Sequence, residues 1–495
     1  MRRIFMKRKI LFIGSIIIIL VIGSATFRAL HEVSAEQSEP KADLSRERSE
    51  REGVGERSEQ TQKPKPKITE EERYGSTPDE LIPYARKAPY KREFVTPLEY
   101  LGPGRLKPEP TNIDTVKIGF LAPMYQVVAE GVSMPYQYYE MGRYMLYGAQ
   151  LALEEANARG GYRGKIPYEL VKYNDPVLEV KDTWLWGTFS NQVVDLIYKH
   201  KVWTIVTTIG GENSHILIRI CLRAEVPIMN VANTDPTYAE TKIPWAFRCI
   251  GDDRQQCYVL AKHAYEKMGY KRVAALRVNS RYGRVGVKEF REAAQRLGYP
   301  LVAEFKYKFG ETDFTMQLEA MKTLNLDAVL TWGNAKESAL ILKQMRQMGM
   351  KQPLLGSDRV VFDEFLQIAG KDAEGIVAAY PWDPTRDDPM LLAFKERFFQ
   401  RFGVSPETYA AHTYDGMNMV IQAIEKAGLN RAKIRDALDE MRTNIYHGVT
   451  GEIPLDYIYQ DVGPVALAMV KNGKFEFMSE EKAGIYLPRK MVFKK

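Results

Sequence analysis

The stretch from Trp203 to Pro236 constrains this chain most, because it reads as one complete β-α-β unit. Trp203-Thr-Ile-Val-Thr-Thr-Ile209 is apolar and β-branched, the make-up of a buried strand. It stops at Gly210-Gly211-Glu212-Asn213-Ser214, which supplies a turn and a helix cap. From His215 to Glu225, the residues Ile216, Leu217, Ile220, Cys221 and Ala224 form the apolar stripe of a helix packed on a sheet. Val226-Pro-Ile-Met-Asn-Val231 is a second strand, ending at Ala232-Asn233-Thr234-Asp235-Pro236. The crossover makes the two strands parallel, so both polar clusters open on one edge of the sheet. Ser214 lies by a helix amino terminus that favours an anion such as a carboxylate, with Asn233 and Thr234 beside it. The unit predicts a small anionic or zwitterionic ligand.

The same alternation extends both ways. Val116–Leu121 is a strand, followed by a long Tyr- and Met-rich loop over 124–141, an amphipathic helix over 148–158, a strand over 166–173 and a helix over 189–200. It restarts at Ala246–Ile250, with strands expected over 272–278, 301–307 and 328–331 and helices over 253–268, 285–297, 314–324 and 338–348. Helices over 389–402 and 409–427 precede a β-rich tail over 445–477, and no kinase or DNA-binding module is expected after it. With 495 residues, the chain exceeds a single core. The pattern predicts an α/β protein of doubly wound sheets.

Arg2, Arg3, Lys7, Arg8 and Lys9 precede an apolar run over 10–22, and Val33-Ser-Ala35 has the small-x-small form that signal peptidase accepts. Residues 1–35 are therefore a signal peptide cut after Ala35, or a retained membrane anchor built on residues 10–27. Residues 36–113 open with a charged, Pro-containing segment too poor in apolar residues to fold, followed by an extended arm. Seventy basic against 63 acidic side chains, with much of the excess at the amino terminus, give no reason to expect nucleic-acid binding. Cys221 reads as a core residue, and Cys249 and Cys257 as two buried thiols or a disulfide. No metal-ligand spacing, phosphate loop, nucleophile elbow or triad is present, so neither an enzyme nor a cofactor is expected.

As a set, Lys117-Ile-Gly-Phe, the run Gly148-Ala-Gln-Leu-Ala-Leu-Glu-Glu-Ala-Asn-Ala-Arg-Gly-Gly161, Val226-Pro-Ile, Tyr282-Gly283, Asp313-Phe314 and Asp327-Ala-Val329 resemble the type I periplasmic binding proteins. Within them the chain is similar to the leucine/isoleucine/valine-binding group that feeds branched-chain amino acid ABC transporters. The resemblance implies two doubly wound Rossmann-like lobes joined by a three-crossover hinge. Lobe 1 would comprise 114–248 and 383–445, lobe 2 would comprise 249–382 and 446–478, and 479–495 would be a tail. It implies ligand in the interlobe cleft, an ABC permease as partner and a periplasmic or extracellular location. The rival is a membrane-anchored sensor of the same fold that signals to a partner.

Carried over residue by residue, the family pattern places Ser214 on the ligand carboxylate. Ala232 and Thr234 offer a carbonyl and a hydroxyl, Tyr282 reaches in from the other lobe, and Asp358 pairs with an ammonium. Asn334 and Tyr125 complete the candidate set. On spacing alone, Ser214 also reads as a helix cap, Thr234 as a turn residue, Tyr282 as strand-end packing and Asp358 as a surface turn residue. The chain departs from the family in having Asn279-Ser280-Arg281 where an acidic residue precedes the Tyr-Gly pair. Its loop over 124–141 is longer, and 177–187 looks inserted.

Overall fold

The computed structural model describes residues 100–176 and 186–485, apart from 126, 129–131 and 134. The signal or anchor segment, the spacer before Tyr100 and most of the insertion at 177–187 lie outside the described residues.

Two sheets organise the chain. The first is all parallel, with strands β1 (Val116–Ala122), β2 (Tyr168–Asn174), β3 (Ile205–Thr207), β4 (Ile228–Asn230) and β5 (Ala246–Arg248) in the order β2-β1-β3-β4-β5. The second contains β6 (Val273–Val278), β7 (Ala303–Tyr307), β8 (Ala328–Trp332), β9 (Leu354–Gly356) and β10 (Val377–Tyr380), all parallel. After the short hairpin β11 (Tyr446–Gly448) and β12 (Gly451–Ile453), strands β13 (Ala466–Lys471) and β14 (Lys474–Ser479) extend the second sheet antiparallel beyond β10. Strands buried on both faces read as near-continuous apolar runs, and β3, β4 and β8 are buried at every position.

Helices α1 (Tyr136–Ala158), α2 (Trp186–Val194) and α3 (Gly211–Ala224) belong with the first sheet. Helices α4 (Asp253–Lys262), α5 (Arg281–Arg296), α6 (Thr315–Lys322), α7 (Ala335–Gln347) and α8 (Asp363–Ala369) belong with the second. The chain then returns through α9 (Pro389–Phe402), α10 (Thr408–Ala427) and α11 (Arg431–Asp439), and α9 and α10 pack on α1. It passes between the sheets after β5, after β10 and again before β13.

Several elements depart from the sequence reading. The alternation does not restart at Ala246, because β5 closes the edge of the first sheet beside β4 and only α4 crosses over. The loop expected over 124–141 ends at Pro135, and α1 is longer by three turns. Gln137, Tyr138, Met141 and Met145 are buried at i, i+1, i+4 and i+8, so the Tyr- and Met-rich segment is the helix's own core stripe. Within α1, Gly148 lets α10 approach, since a Cβ there would sit 2.2 Å from the Ala410 carbonyl oxygen. The helix expected over 189–200 begins at Trp186 and widens into a π turn over Asp195–Lys199. Cys221, Cys249 and Cys257 are separate buried thiols, so Cys249 and Cys257 form no disulfide.

A short strap precedes β1. The Tyr100 hydroxyl donates to Glu225 Oε1 at 2.5 Å, Arg105 makes two hydrogen bonds with the Asp436 carboxylate at 2.6 and 2.7 Å, and Asn430 Nδ2 donates to the Gly104 and Lys107 carbonyls. Glu225 follows α3 and Trp245, whose ring meets Tyr100 edge-on, precedes β5. The strap therefore lies at the amino ends of the first sheet's strands.

Candidate ligand-binding site

At the carboxyl ends of the first sheet, two strand tips are locked by asparagines. Asn230 Oδ1 accepts from the amides of Ala232 and Asn233 at 3.1 and 2.9 Å, turning the chain sharply after β4. Asn233 Nδ2 then donates to the Gly210 carbonyl at 3.2 Å and to Ser214 Oγ at 2.7 Å, tying the tip of β4 to the start of α3. Helix α3 begins at Gly211, four residues ahead of the sequence expectation, so Ser214 is not its cap. Ser214 lies in the first turn, fully buried, and its hydroxyl donates to the Gly210 carbonyl at 2.9 Å. Gly210 offers no side-chain cap, so the leading amides of α3 face out of the helix end.

Arg248, fully buried, holds this corner from beneath. Its guanidinium donates to the Asp235 carbonyl at 2.6 Å, to the Asn233 carbonyl at 3.2 Å and to Gln460 Oε1 at 2.6 Å. The turn over 233–235 is thus anchored to the segment that leads into β13.

The strand tips of the second sheet meet α1 and α10 in a cluster of buried aromatic and charged groups. Tyr282, in the first turn of α5, donates from its hydroxyl to Asp358 Oδ1 at 2.5 Å, and Tyr409 donates to Asp358 Oδ2 at 3.1 Å. The Arg359 guanidinium stacks 3.7 Å above the Tyr282 ring. Its Nη1 also donates to the Tyr138 hydroxyl at 2.9 Å and approaches Asn334 Oδ1 at 3.4 Å. Burial pushes the Asp358 carboxyl up, although Arg359 and the two tyrosines oppose the shift. Tyr282 is held well above its ordinary value by burial and by the Asp358 charge.

Between these clusters stands Asp253, the first residue of α4, with which the chain crosses from one sheet to the other. Its backbone N–H donates to the Thr234 carbonyl at 2.8 Å, but neither carboxylate oxygen has a hydrogen-bond partner and the residue is fully buried. Burial raises its carboxyl well above the usual range. The Asp358 charge adds to the rise, and the Thr234 hydroxyl beside it offsets part. The Asp253 charge is felt by Tyr282 in turn. The Asp253 carboxyl therefore lies beside the Thr234 hydroxyl on the first sheet and near enough to Asp358 and Tyr282 on the second for their charges to be coupled. Asn334, at the start of α7, has a buried Nδ2 that is also unpartnered.

Of the sequence candidates, Ser214, Ala232, Thr234, Tyr282, Asn334 and Asp358 are all buried at strand carboxyl ends or the helix starts that follow them. The Tyr125 side chain is more than half exposed, with its amide bonded to Asn174 Oδ1 at 3.0 Å, and it lies outside this buried set. Sequence reading missed Arg248, Asp253 and Arg359. The available signals were the lone charge in the apolar run over 245–250 and the paired carboxyls of Asp252-Asp253.

Residues 115–471 match the family model described as periplasmic binding protein. The chain belongs to that family. Among curated members, it is 26% identical over 291 residues to the Leu/Ile/Val-binding protein homolog 1 of Brucella abortus, covering 57% of this chain and 73% of that protein. It is 26% identical over 348 residues to the leucine-, isoleucine-, valine-, threonine- and alanine-binding protein of Pseudomonas aeruginosa, covering 69% and 86%. Among solved structures, the substrate-binding protein LivJ of Streptococcus pneumoniae, in complex with isoleucine, superposes with a TM-score of 0.65 at 26% identity over 74% of this chain and 99% of that one. The leucine-binding protein LivK of Thermotoga maritima gives 0.64 at 26% identity, covering 73% and 97%. As a periplasmic binding protein, the chain has its two sheets in the arrangement of those structures, and its relatives are transport proteins rather than enzymes.

Proposed function

We propose that this periplasmic binding protein captures a small zwitterion, with a branched-chain amino acid as the first choice, and delivers it to the permease of an ABC transporter. The observation that carries the reading is Asp253, a fully buried carboxylate without a hydrogen-bond partner at the seam between the sheets. Burial disfavours ionisation of this carboxyl while it has no cationic partner, and a ligand ammonium is the natural group to pair with its charged form. The opposite pole of the ligand, a carboxylate, fits the open amino end of α3 beside Ser214, with the Ala232 carbonyl and the Thr234 hydroxyl along the edge.

Tyr282, Asp358 and Asn334 belong to the other sheet and gain contact when the gap closes, so ligand shifts the population towards the closed form. Asp358 is already shared by two tyrosines, and Asp253 is the better placed partner for the ammonium. The protein acts outside the cytoplasm, in the periplasm or at the cell surface, with residues 1–35 as its export or anchoring segment. Calorimetry of the purified protein against leucine, isoleucine, valine, threonine and alanine tests the reading. Binding of at least one of them at micromolar concentration is expected. Binding of none, with a carboxylic acid lacking an amino group binding instead, overturns it.

A further inference from the structure

At the rim of the gap, a single arginine of the second sheet reaches three groups of the first. Arg281 opens α5, and its Nε donates to Asp235 Oδ2 at 2.5 Å, while Nη2 donates to Thr237 Oγ1 at 2.7 Å and meets His215 Nε2 at 3.1 Å. Asp235 is almost fully buried, and its other oxygen, Oδ1, is used in ordering its own turn by accepting from the amide and hydroxyl of Thr237. Burial pushes the Asp235 carboxyl up, but His215, whose Nε2 lies 3.6 Å from Oδ2, and the charge and hydrogen bond of Arg281 overcome this and hold it well below the usual range. Gly211 makes room for the arm, because a Cβ there would lie 2.9 Å from Arg281 Cδ and 3.2 Å from Asp235 Oδ2.

We propose that Arg281 is a closure latch, a positioning residue that holds the two sheets together over the gap and sets how slowly bound ligand leaves. When the sheets part, Asp235 keeps His215 and Thr237, which belong to its own side, and loses only Arg281. The whole charge-assisted contact is therefore present in the closed form and absent from the open one. Such a bond is worth about tenfold or more in an equilibrium, and the partial exposure of Arg281 places it at the lower end. The latch rests on the closure described above but not on the identity of the ligand.

Hydrogen-exchange mass spectrometry on the full-length protein without added ligand tests it. Arg281→Gln is expected to speed exchange of the Ala335 amide, which is held from the other half by Gln137 Oε1, roughly tenfold while leaving core strand β8 unchanged, and Arg281→Lys is expected to restore part of the protection. Gly211→Ala, which crowds the arm without removing its charge, is expected to act in the same direction. Unchanged exchange of the Ala335 amide in Arg281→Gln overturns the latch. A rise of equal size in β8 overturns it too, since that marks a residue needed for folding. Failure of every amino acid to bind in calorimetry would count against the proposed function and leave this readout intact.

Discussion

Replacing Asp253 by Asn separates stability from function, because it removes an ionisable group and keeps the size of the side chain. The backbone N–H of residue 253 still reaches the Thr234 carbonyl, so the start of α4 is retained. In the ligand-free protein both carboxylate oxygens lack hydrogen-bond partners in a fully buried site. Burial holds the carboxyl well above the usual range, so at pH 7 folding must either take up a proton or bury a charge, whereas an amide does neither. The neutral amide should therefore raise unfolding stability by about 1–3 kcal/mol, read as a higher urea midpoint with an unchanged slope. Ligand capture should move the other way. Loss of a charged hydrogen bond of about 1.5–3 kcal/mol weakens binding of an amino acid roughly 10- to 150-fold. Urea unfolding without ligand and calorimetry with leucine measure the two effects on one preparation. A variant that is no more stable than the parent and binds leucine equally well would refute the assignment of Asp253 as a buried acid awaiting an ammonium partner.

Asp415 is fully buried on α10 and accepts from the amides of Val449 and Thr450 and from the Thr450 hydroxyl, and burial raises its carboxyl to about 6. A folded value above the unfolded one means that its contribution to stability is complete below about pH 4 and lost as pH rises through 6. The difference in urea stability between the parent and Asp415→Asn should accordingly shift by about 2–3 kcal/mol between pH 4 and pH 7; a pH-independent difference would contradict this. Gly148→Ala drives a Cβ to 2.2 Å from a backbone oxygen of α10, and forcing the helices apart should cost about 1–3 kcal/mol in thermal or urea unfolding. Arg105→Ala removes the paired hydrogen bonds to Asp436, both about one-third exposed, and should cost no more than about 1 kcal/mol by the same measurement.

The layered fold was legible because strands such as β3, β4 and β8 are short apolar runs closed by polar tips, and because helices such as α9 keep a regular stripe. The first turns of α1 were not legible. Gln137 and its neighbours look like loop residues until their burial is known, and Gln137 uses its amide to bridge the Arg359 carbonyl and the Ala335 N–H across the gap. The place of β5 was hidden because only four residues, Cys249 to Asp252, separate a strand of one sheet from a helix of the other.

At the site, the polar tips around Ser214, Thr234 and Tyr282 could be read from the places where apolar runs stop. Asp253, Arg248 and Arg359 were passed over, since a lone arginine at a strand end and charged residues at a helix start or turn are ordinarily exposed. Their burial arises only when two distant parts of the chain face one another. Nothing local in a sequence reports that apposition.

The strap over residues 100–107 has a mechanical consequence. Its partners Glu225, Asn430 and Asp436 are all carried by the first sheet's half of the molecule, at the end of the strands remote from the gap. A load applied at Tyr100 is borne by one half alone and by its rear face. Among the described contacts, the strap is fastened to that half alone.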